Sequence, residues 1–184
     1  INSEASNLFN LLNNLLEWSI SQRNLKTVKK ETVNLRGIVK DSIEVMKENS
    51  ARKEIKIDLS IPDDRTVYVD RGMFGTVIRN LVSNAIKFTR RGGSIRVFYS
   101  GSDDGYSEIC VEDSGIGMDE ETIQKVFNIA EKTKRKGTEG ELSTGLGLPI
   151  CKDLLEKNGG SISITSETDK GTKIFITVPS GKEE

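Results

Sequence analysis

The sequence predicts an α+β protein. Its core is a two-layer sandwich whose mixed, largely antiparallel sheet carries helices on one face, with a further bundle helix ahead of it. Three observations predict this. Strand-patterned segments come in pairs, at 54–60 and 66–70, 94–100 and 107–113, and 161–167 and 172–178. Helix-patterned segments separate those pairs, which is not the alternation of single strands and helices that builds a doubly wound parallel sheet. The chain has 184 residues, enough to bury a core without disulfides.

From the start, Leu8, Leu11, Leu12, Leu15 and Leu16 recur at i, i+3, i+4, i+7 and i+8, with Trp18 and Ile20 extending the run. This predicts a helix over 1–24 with an apolar stripe wide enough to seek a partner helix, so two copies of the chain could pair through it. Residues 25–34 are polar and read as a linker. A second helix runs from Leu35 to about Arg52, on the spacing of Leu35, Ile38, Val39, Ile43 and Met46. EIKIDLS (54–60) and TVYVD (66–70) alternate as strands around the turn signal Pro62-Asp63-Asp64. Asp70 can cap a helix running to about Thr89. SIRVFYS (94–100) and SEICVED (107–113) read as a hairpin joined through Gly101 to Gly105. Asp119 opens a short helix with acids in its first turn. Residues 130–144 carry Lys132, Lys134, Arg135 and Lys136 without periodicity and read as a long loop of the kind that serves as a lid. A helix then runs to about Lys157 and ends at Asn158-Gly159-Gly160. SISITSE and TKIFITV form the last pair.

Composition narrows the chemistry. The 27 basic and 28 acidic residues leave a net charge of −1, which gives no broad electrostatic attraction to nucleic acid. No apolar run approaches the roughly 18 residues of a spanning helix. The chain has no histidine, which excludes a Ser-His-Asp hydrolase and a histidine-ligated zinc hydrolase within it. Cys110 falls in a strand and Cys151 in a helix, where both read as small buried hydrophobes.

Three segments can carry chemistry. On the helix over 70–89, Asn80, Asn84 and Lys87 stand at i, i+4 and i+7, so they form a polar stripe at the border of the apolar face. Two amides and a lysine make a platform for phosphate and metal, and an amide oxygen is a hard ligand suited to Mg²⁺. Asp113-Ser114-Gly115-Ile116-Gly117-Met118 follows a strand directly. Its glycines allow close backbone approach to a ligand. Its aspartate can accept from an amine such as N6 of adenine, where guanine presents a carbonyl that a carboxylate would repel. Ser143-Thr144-Gly145-Leu146-Gly147-Leu148-Pro149 closes the basic loop and opens a helix, whose N–H groups can bind phosphate. Neither a Walker A sequence nor a GxGxxG after a first strand is present.

In this order and on these elements, the segments resemble the ATP-binding catalytic domain of sensor histidine kinases. RNLVSNAIKFT (79–89) resembles the N box, DSGIGM (113–118) the first glycine box, Phe127 the F box, STGLGLPI (143–150) the second glycine box and DKGTKIFITVP (169–179) the last motif. The superfamily, GHKL, also holds DNA gyrase B, the MutL proteins and a heat-shock chaperone. The likeness covers about 35–180, so 35–184 is the expected catalytic domain. LLNNLLEWS resembles the second helix of the dimerisation and phospho-acceptor domain, making 1–24 its C-terminal part.

The resemblance implies a GHKL fold, with ATP and Mg²⁺ as cofactors. It implies that Asn84 holds Mg²⁺ with support from Asn80, that Lys87 contacts phosphate and that Phe88 lies against adenine. Asp113 would accept from the adenine amine, with Gly115 and Gly117 shaping that pocket. Thr144, Gly145, Leu146, Gly147 and Leu148 would surround the phosphates, and Thr172 would line the adenine end. Residues 130–144 would be the ATP lid, with no one of its basic residues singled out. Gyrase-like relatives carry a water-activating glutamate four residues before the metal-binding Asn. Here that residue is Asn80, which implies slow hydrolysis and transfer of the γ-phosphoryl to a histidine. That histidine would lie upstream of Ile1, on a helix of the same kinase, and a response-regulator receiver domain would be the next partner. The expected location is cytoplasmic, on a parent that in most relatives is membrane-anchored. A conformational-switch ATPase and a non-catalytic nucleotide- or partner-binding module are the alternatives.

Overall fold

The structure is a computed structural model that describes residues 27–128, 135–141 and 143–181. The expected helix over 1–24, Lys132 and Lys134 lie outside the described residues.

The described chain runs β1 (Glu31–Asn34), α1 (Leu35–Glu44), α2 (Lys47–Arg52), β2 (Lys56–Ser60), β3 (Thr66–Val69), α3 (Arg71–Phe88), β4 (Ser94–Asp103), β5 (Tyr106–Asp113), α4 (Glu120–Lys125), α5 (Gly147–Asn158), β6 (Ser161–Glu167) and β7 (Gly171–Pro179). Five strands form one sheet in the order β2-β4-β5-β7-β6, antiparallel except for the parallel pair β2 and β4. The helices α1, α3 and α5 pack together on one face, with α3 in the middle. The expected fold class is therefore observed.

Sequence and structure differ at three places near the start. Residues 31–34, expected as linker, form strand β1, which pairs antiparallel with β3 from Glu31↔Val69 to Asn34↔Thr66. Their polarity misleads because β1 has one buried side chain, Val33. The strands over 54–60 and 66–70 do not form a hairpin with each other. β2 lies parallel to β4 at the edge of the main sheet, and β3 joins β1 instead. Alternation specifies which face is buried, not which strand is the neighbour. The helix expected over 35–52 breaks after Glu44. There Ser42 Oγ donates back to Ile38 O at 2.8 Å, and Met46 N–H donates to Ile43 O at 2.8 Å, an i→i+3 bond that tightens the turn. A smaller difference is that Gly101 sits inside β4 at a register shift, so the hairpin turn is Asp104-Gly105.

Helix α3 is the spine of the molecule. Asp70 caps it, accepting from Met73 N–H at 3.0 Å through its side chain. Phe74, Val77, Ile78, Leu81 and Val82 are all fully buried, in one apolar core with Ile95, Val97, Ile109 and Ile176 of the sheet. Each such side chain contributes about 1.5–3 kcal/mol of hydrophobic stabilisation. Both cysteines are buried, as expected, and burial pushes each thiol up to about 12, so neither is a ready nucleophile.

One buried amide ties the start of α3 to the end of α5. Asn158 is 1% exposed; its Oδ1 accepts from Asp70 N–H at 2.7 Å and its Nδ2 donates to Leu154 O at 2.8 Å. Its backbone oxygen accepts from Lys30 Nζ at 2.8 Å. Asn158→Ala strands the Asp70 N–H in the interior, and is expected to cost about 2–3 kcal/mol. Urea unfolding of both proteins checks this as a lowered midpoint at unchanged slope.

Candidate functional site

A solvent-open cleft of about 700 Å³ lies between α3, the ends of β5 and β7, and the start of α5. Of the residues singled out in the sequence, Asn84, Phe88, Asp113 and Gly117 line it from one side, and Gly145, Gly147, Leu148 and Thr172 complete it.

Asn84, on the polar stripe that its spacing predicted, and Phe88, expected there from the resemblance, both reach the cleft from α3. Asn80, one turn earlier, is half-buried, and its Nδ2 donates to Thr76 O at 3.1 Å. A Cβ added at Gly147 would stand 3.4 Å from Asn84 Nδ2, 3.6 Å from Asn80 Oδ1 and 3.9 Å from Asn84 Oδ1. The second glycine box therefore faces both amides with bare backbone. Two neutral hard oxygen donors beside approachable backbone N–H groups fit a Mg²⁺ ion that takes its remaining ligands from water and phosphate. Among the described residues no cluster of acids, cysteines or histidines offers a stronger metal cage.

The first glycine box is locked by backbone contacts. Asp113 ends β5, and its Oδ1 accepts from Gly115 N–H at 2.8 Å. A Cβ at Gly115 would fall 2.4 Å from Phe88 O, while Ile116 N–H donates to that oxygen at 3.1 Å. Gly117 has φ +61°, and a Cβ there would sit 1.9 Å from Glu167 O. Gly171, with φ +92°, meets Asp113 O in the same way at 1.9 Å. The strand end, the glycine turn and the 167–171 turn thus interlock, and only glycine fits at these contacts. Ser166 Oγ completes the wall: it accepts from Met118 N–H at 2.8 Å and lies 2.9 Å from Thr172 Oγ1.

Burial pushes the Asp113 carboxyl up to about 6, against the pull of N–H groups from Gly115 and Thr172; the charge of Glu112 adds to the rise. It is an acceptor at neutral pH with little bulk water around it. Burial lowers the Lys87 ammonium from its ordinary value, and the Glu141 carboxylate acts the other way. Lys87 flanks the cleft without lining it; its Cγ is 2.7 Å from a Cβ placed on Gly137. Thr144 Oγ1 accepts from Leu146 N–H at 3.4 Å, and Leu146 packs on the core. Leu146, the N-cap of α5, offers no side-chain acceptor to the first turn. The leading N–H groups of α5 are those a helix leaves unbonded within itself. Phe127 is half-buried, while its neighbour Val126 lines the cleft.

Of the described basic loop residues, Arg135 enters the site. Its guanidinium lies 5.5 Å from the Phe88 ring centroid, and its Nη2 donates to Gly117 O at 2.8 Å. The sequence named Arg135 only as one of four candidates. It did not signal the apolar walls, Leu81, Ala85, Val111 and Ile174, because their spacing is that of ordinary core positions. Lys53 was missed entirely. It is 2% exposed and bonded to the end of α3 beside the cleft.

Comparison with known proteins agrees with this geometry. Residues 69–182 match the family model described as histidine kinase-, DNA gyrase B-, and HSP90-like ATPase. The chain is 30% identical over 190 residues to the aerobic respiration control sensor protein ArcB of Escherichia coli, covering 100% of this chain and 24% of ArcB. It is 28% identical over 182 residues to the non-motile and phage-resistance protein of Caulobacter vibrioides, covering 97% of this chain and 22% of that protein. The chain thus spans about a quarter of the length of these relatives. Among solved structures, the mycobacterial sensor histidine kinase MprB superposes with a TM-score of 0.70 at 25% identity, over 84% of this chain and 100% of that one. Full-length ShkA, solved in complex with AMPPNP, shares the fold at a TM-score of 0.80 and 24% identity, over 98% of this chain and 37% of ShkA.

Proposed function

The chain belongs to the histidine kinase-, DNA gyrase B-, and HSP90-like ATPase family, and we propose that it is the ATP-binding catalytic domain of a sensor histidine kinase. The observation that carries this reading is the convergence of Asp113, Phe88 and Asn84 on one cleft closed by Gly145 and Gly147. In this reading Asp113 accepts from the adenine amine and Phe88 covers the base. The leading N–H groups of α5 and the Lys87 ammonium take the phosphates. Asn84 holds Mg²⁺ through its side-chain oxygen, with Asn80 beside it. The ion, when bound, spreads the negative charge that builds up on the transferred phosphoryl group.

Catalysis by these residues is positioning and charge neutralisation. The γ-phosphoryl leaves ADP and forms a bond to a histidine nitrogen supplied from outside this sequence, which has no histidine of its own. Asn80 supports that outcome. An amide is not a base, so it does not activate water where a glutamate would. A conformational-switch ATPase is the poorer reading for the same reason. A response-regulator aspartate would receive the phosphoryl in the next step.

The test is to incubate the chain with γ-labelled ATP and the isolated acceptor domain of a sensor kinase. The expected result is acid-labile label on the acceptor histidine and little free phosphate. Rapid release of phosphate with an unlabelled acceptor would overturn the kinase reading in favour of an ATPase.

A further inference from the structure

The last four carbonyls of a helix have no partner within it. At the end of α3 the first is satisfied by the C-cap residue and the other three by different segments. Thr89 N–H donates to Ala85 O at 3.0 Å, and Ile116 N–H of the first glycine box donates to Phe88 O at 3.1 Å. Thr138 N–H donates to Lys87 O at 3.0 Å. Lys53 Nζ donates to Ile86 O at 2.8 Å and reaches Lys87 O at 3.2 Å. The same ammonium donates to Thr138 Oγ1 at 2.7 Å and to Glu141 Oε1 at 3.1 Å. Thr138 Oγ1 in turn donates to Thr89 O at 2.9 Å.

Lys53 therefore lies at the centre of a buried junction. It comes from the end of α2, far in sequence from the cleft, and its positive charge sits at the negative end of the α3 dipole. The turn it holds is built to be held. Gly137 N–H donates to Glu141 O at 2.8 Å, and Glu139 N–H donates to Glu141 Oε2 at 2.8 Å. Gly137 lies close against the Lys87 stem. Burial alone would push the Glu141 carboxyl up, but N–H groups of its own turn and the Lys53 ammonium hold it below the usual range.

We infer that Lys53 is a positioning residue for nucleotide binding: it clamps the 137–141 turn to the end of α3 and so fixes Lys87 at the phosphate side of the cleft. This rests on the nucleotide reading above. Lys53 touches no ligand in this scheme. Its effect should appear only for ligands with phosphates, because Asp113 is held by Gly115 N–H and Gly117 is packed against the backbone of Glu167, both outside the clamped turn.

The experiment compares wild type, Lys53→Met and Thr138→Val in the full 184-residue chain. Calorimetric titration uses adenosine and a non-hydrolysable ATP analogue with Mg²⁺. Amide exchange of Thr138 is followed without nucleotide. Lys53→Met is expected to weaken the ATP analogue about tenfold, leave adenosine affinity within about twofold, and speed Thr138 exchange about tenfold or more. Thr138→Val takes away the hydroxyl that Lys53 holds without emptying a charged site, and should likewise weaken the ATP analogue while leaving adenosine affinity in place, which keeps the test open if Lys53→Met fails to fold. Equal weakening of both ligands overturns the inference, since that is the mark of a general structural role. Unchanged ATP-analogue affinity in a folded variant overturns it too. Absence of any binding by wild type overturns the nucleotide reading, and this role with it, so the two failures are distinguishable.

Discussion

Replacing Asn84 with alanine is expected to abolish the Mg²⁺ dependence of ATP-analogue binding and to lower phosphotransfer by about 100-fold or more. Asn84 is one of two amide oxygens presented to the bare backbone of Gly147. In the proposed scheme, removing it takes away the main side-chain ligand to the ion and leaves only Asn80 beside it, while the base-binding end stays intact. Adenosine should therefore bind Asn84→Ala as it binds wild type. The variant should also melt close to wild type, because Asn84 lies at the half-buried border of α3 and outside the apolar core. Calorimetry in the presence of Mg²⁺ and again with a chelator reads the effect. An Mg²⁺ dependence that survives Asn84→Ala removes Asn84 from the metal site.

The second large effect is at Asp113, where function and stability should move in opposite directions. Asp113→Asn is expected to weaken ATP-analogue binding by about 10–100-fold, the worth of a hydrogen bond to a charged group. An amide still accepts from Gly115 N–H, so the turn survives. What is lost is a carboxylate in front of an amine, and with it the rejection of guanine. Burial holds the folded-state carboxyl at about 6, against an unfolded value of about 3.9. Between those values the folded protein binds more protons than the unfolded one, so stability falls as pH rises through the window. Allowing for residual solvent, the ionised group costs the fold about 1–2 kcal/mol at pH 7. Asp113→Asn should accordingly melt a few degrees higher than wild type at pH 7, and the two should converge near pH 4. Wild-type affinity for the ATP analogue should decline as pH drops through about 6, and the variant should lack that decline.

The residues proposed to bind were more legible than those that hold them in place. Asn84 could be placed because helical spacing gives direction, Phe88 through the resemblance of its segment to the N box, and Asp113 because it ends a strand before two glycines. Gly117 was legible as a turn residue, although the oxygen that requires glycine there belongs to Glu167, fifty positions on. The edge of the sheet was read less well. Alternation in β2 and β3 marks a buried face, but a hairpin and a crossover have the same alternation. Strand β1 was missed because one buried valine among polar neighbours has no period. Lys53 was beyond reach. A lysine at the end of a helix is almost always solvated, and nothing local says that four acceptors from α3 and the 138–141 turn close around it.

The most direct measurement is titration of the wild-type chain with non-hydrolysable ATP and GTP analogues, each with and without Mg²⁺, near pH 7.5. The cleft described above predicts an ATP analogue that binds more tightly with Mg²⁺ than without, and a GTP analogue weaker by about 100-fold. Equal affinity for the two nucleotides would contradict the role of Asp113. No binding of either, in a folded chain, would contradict the nucleotide site itself.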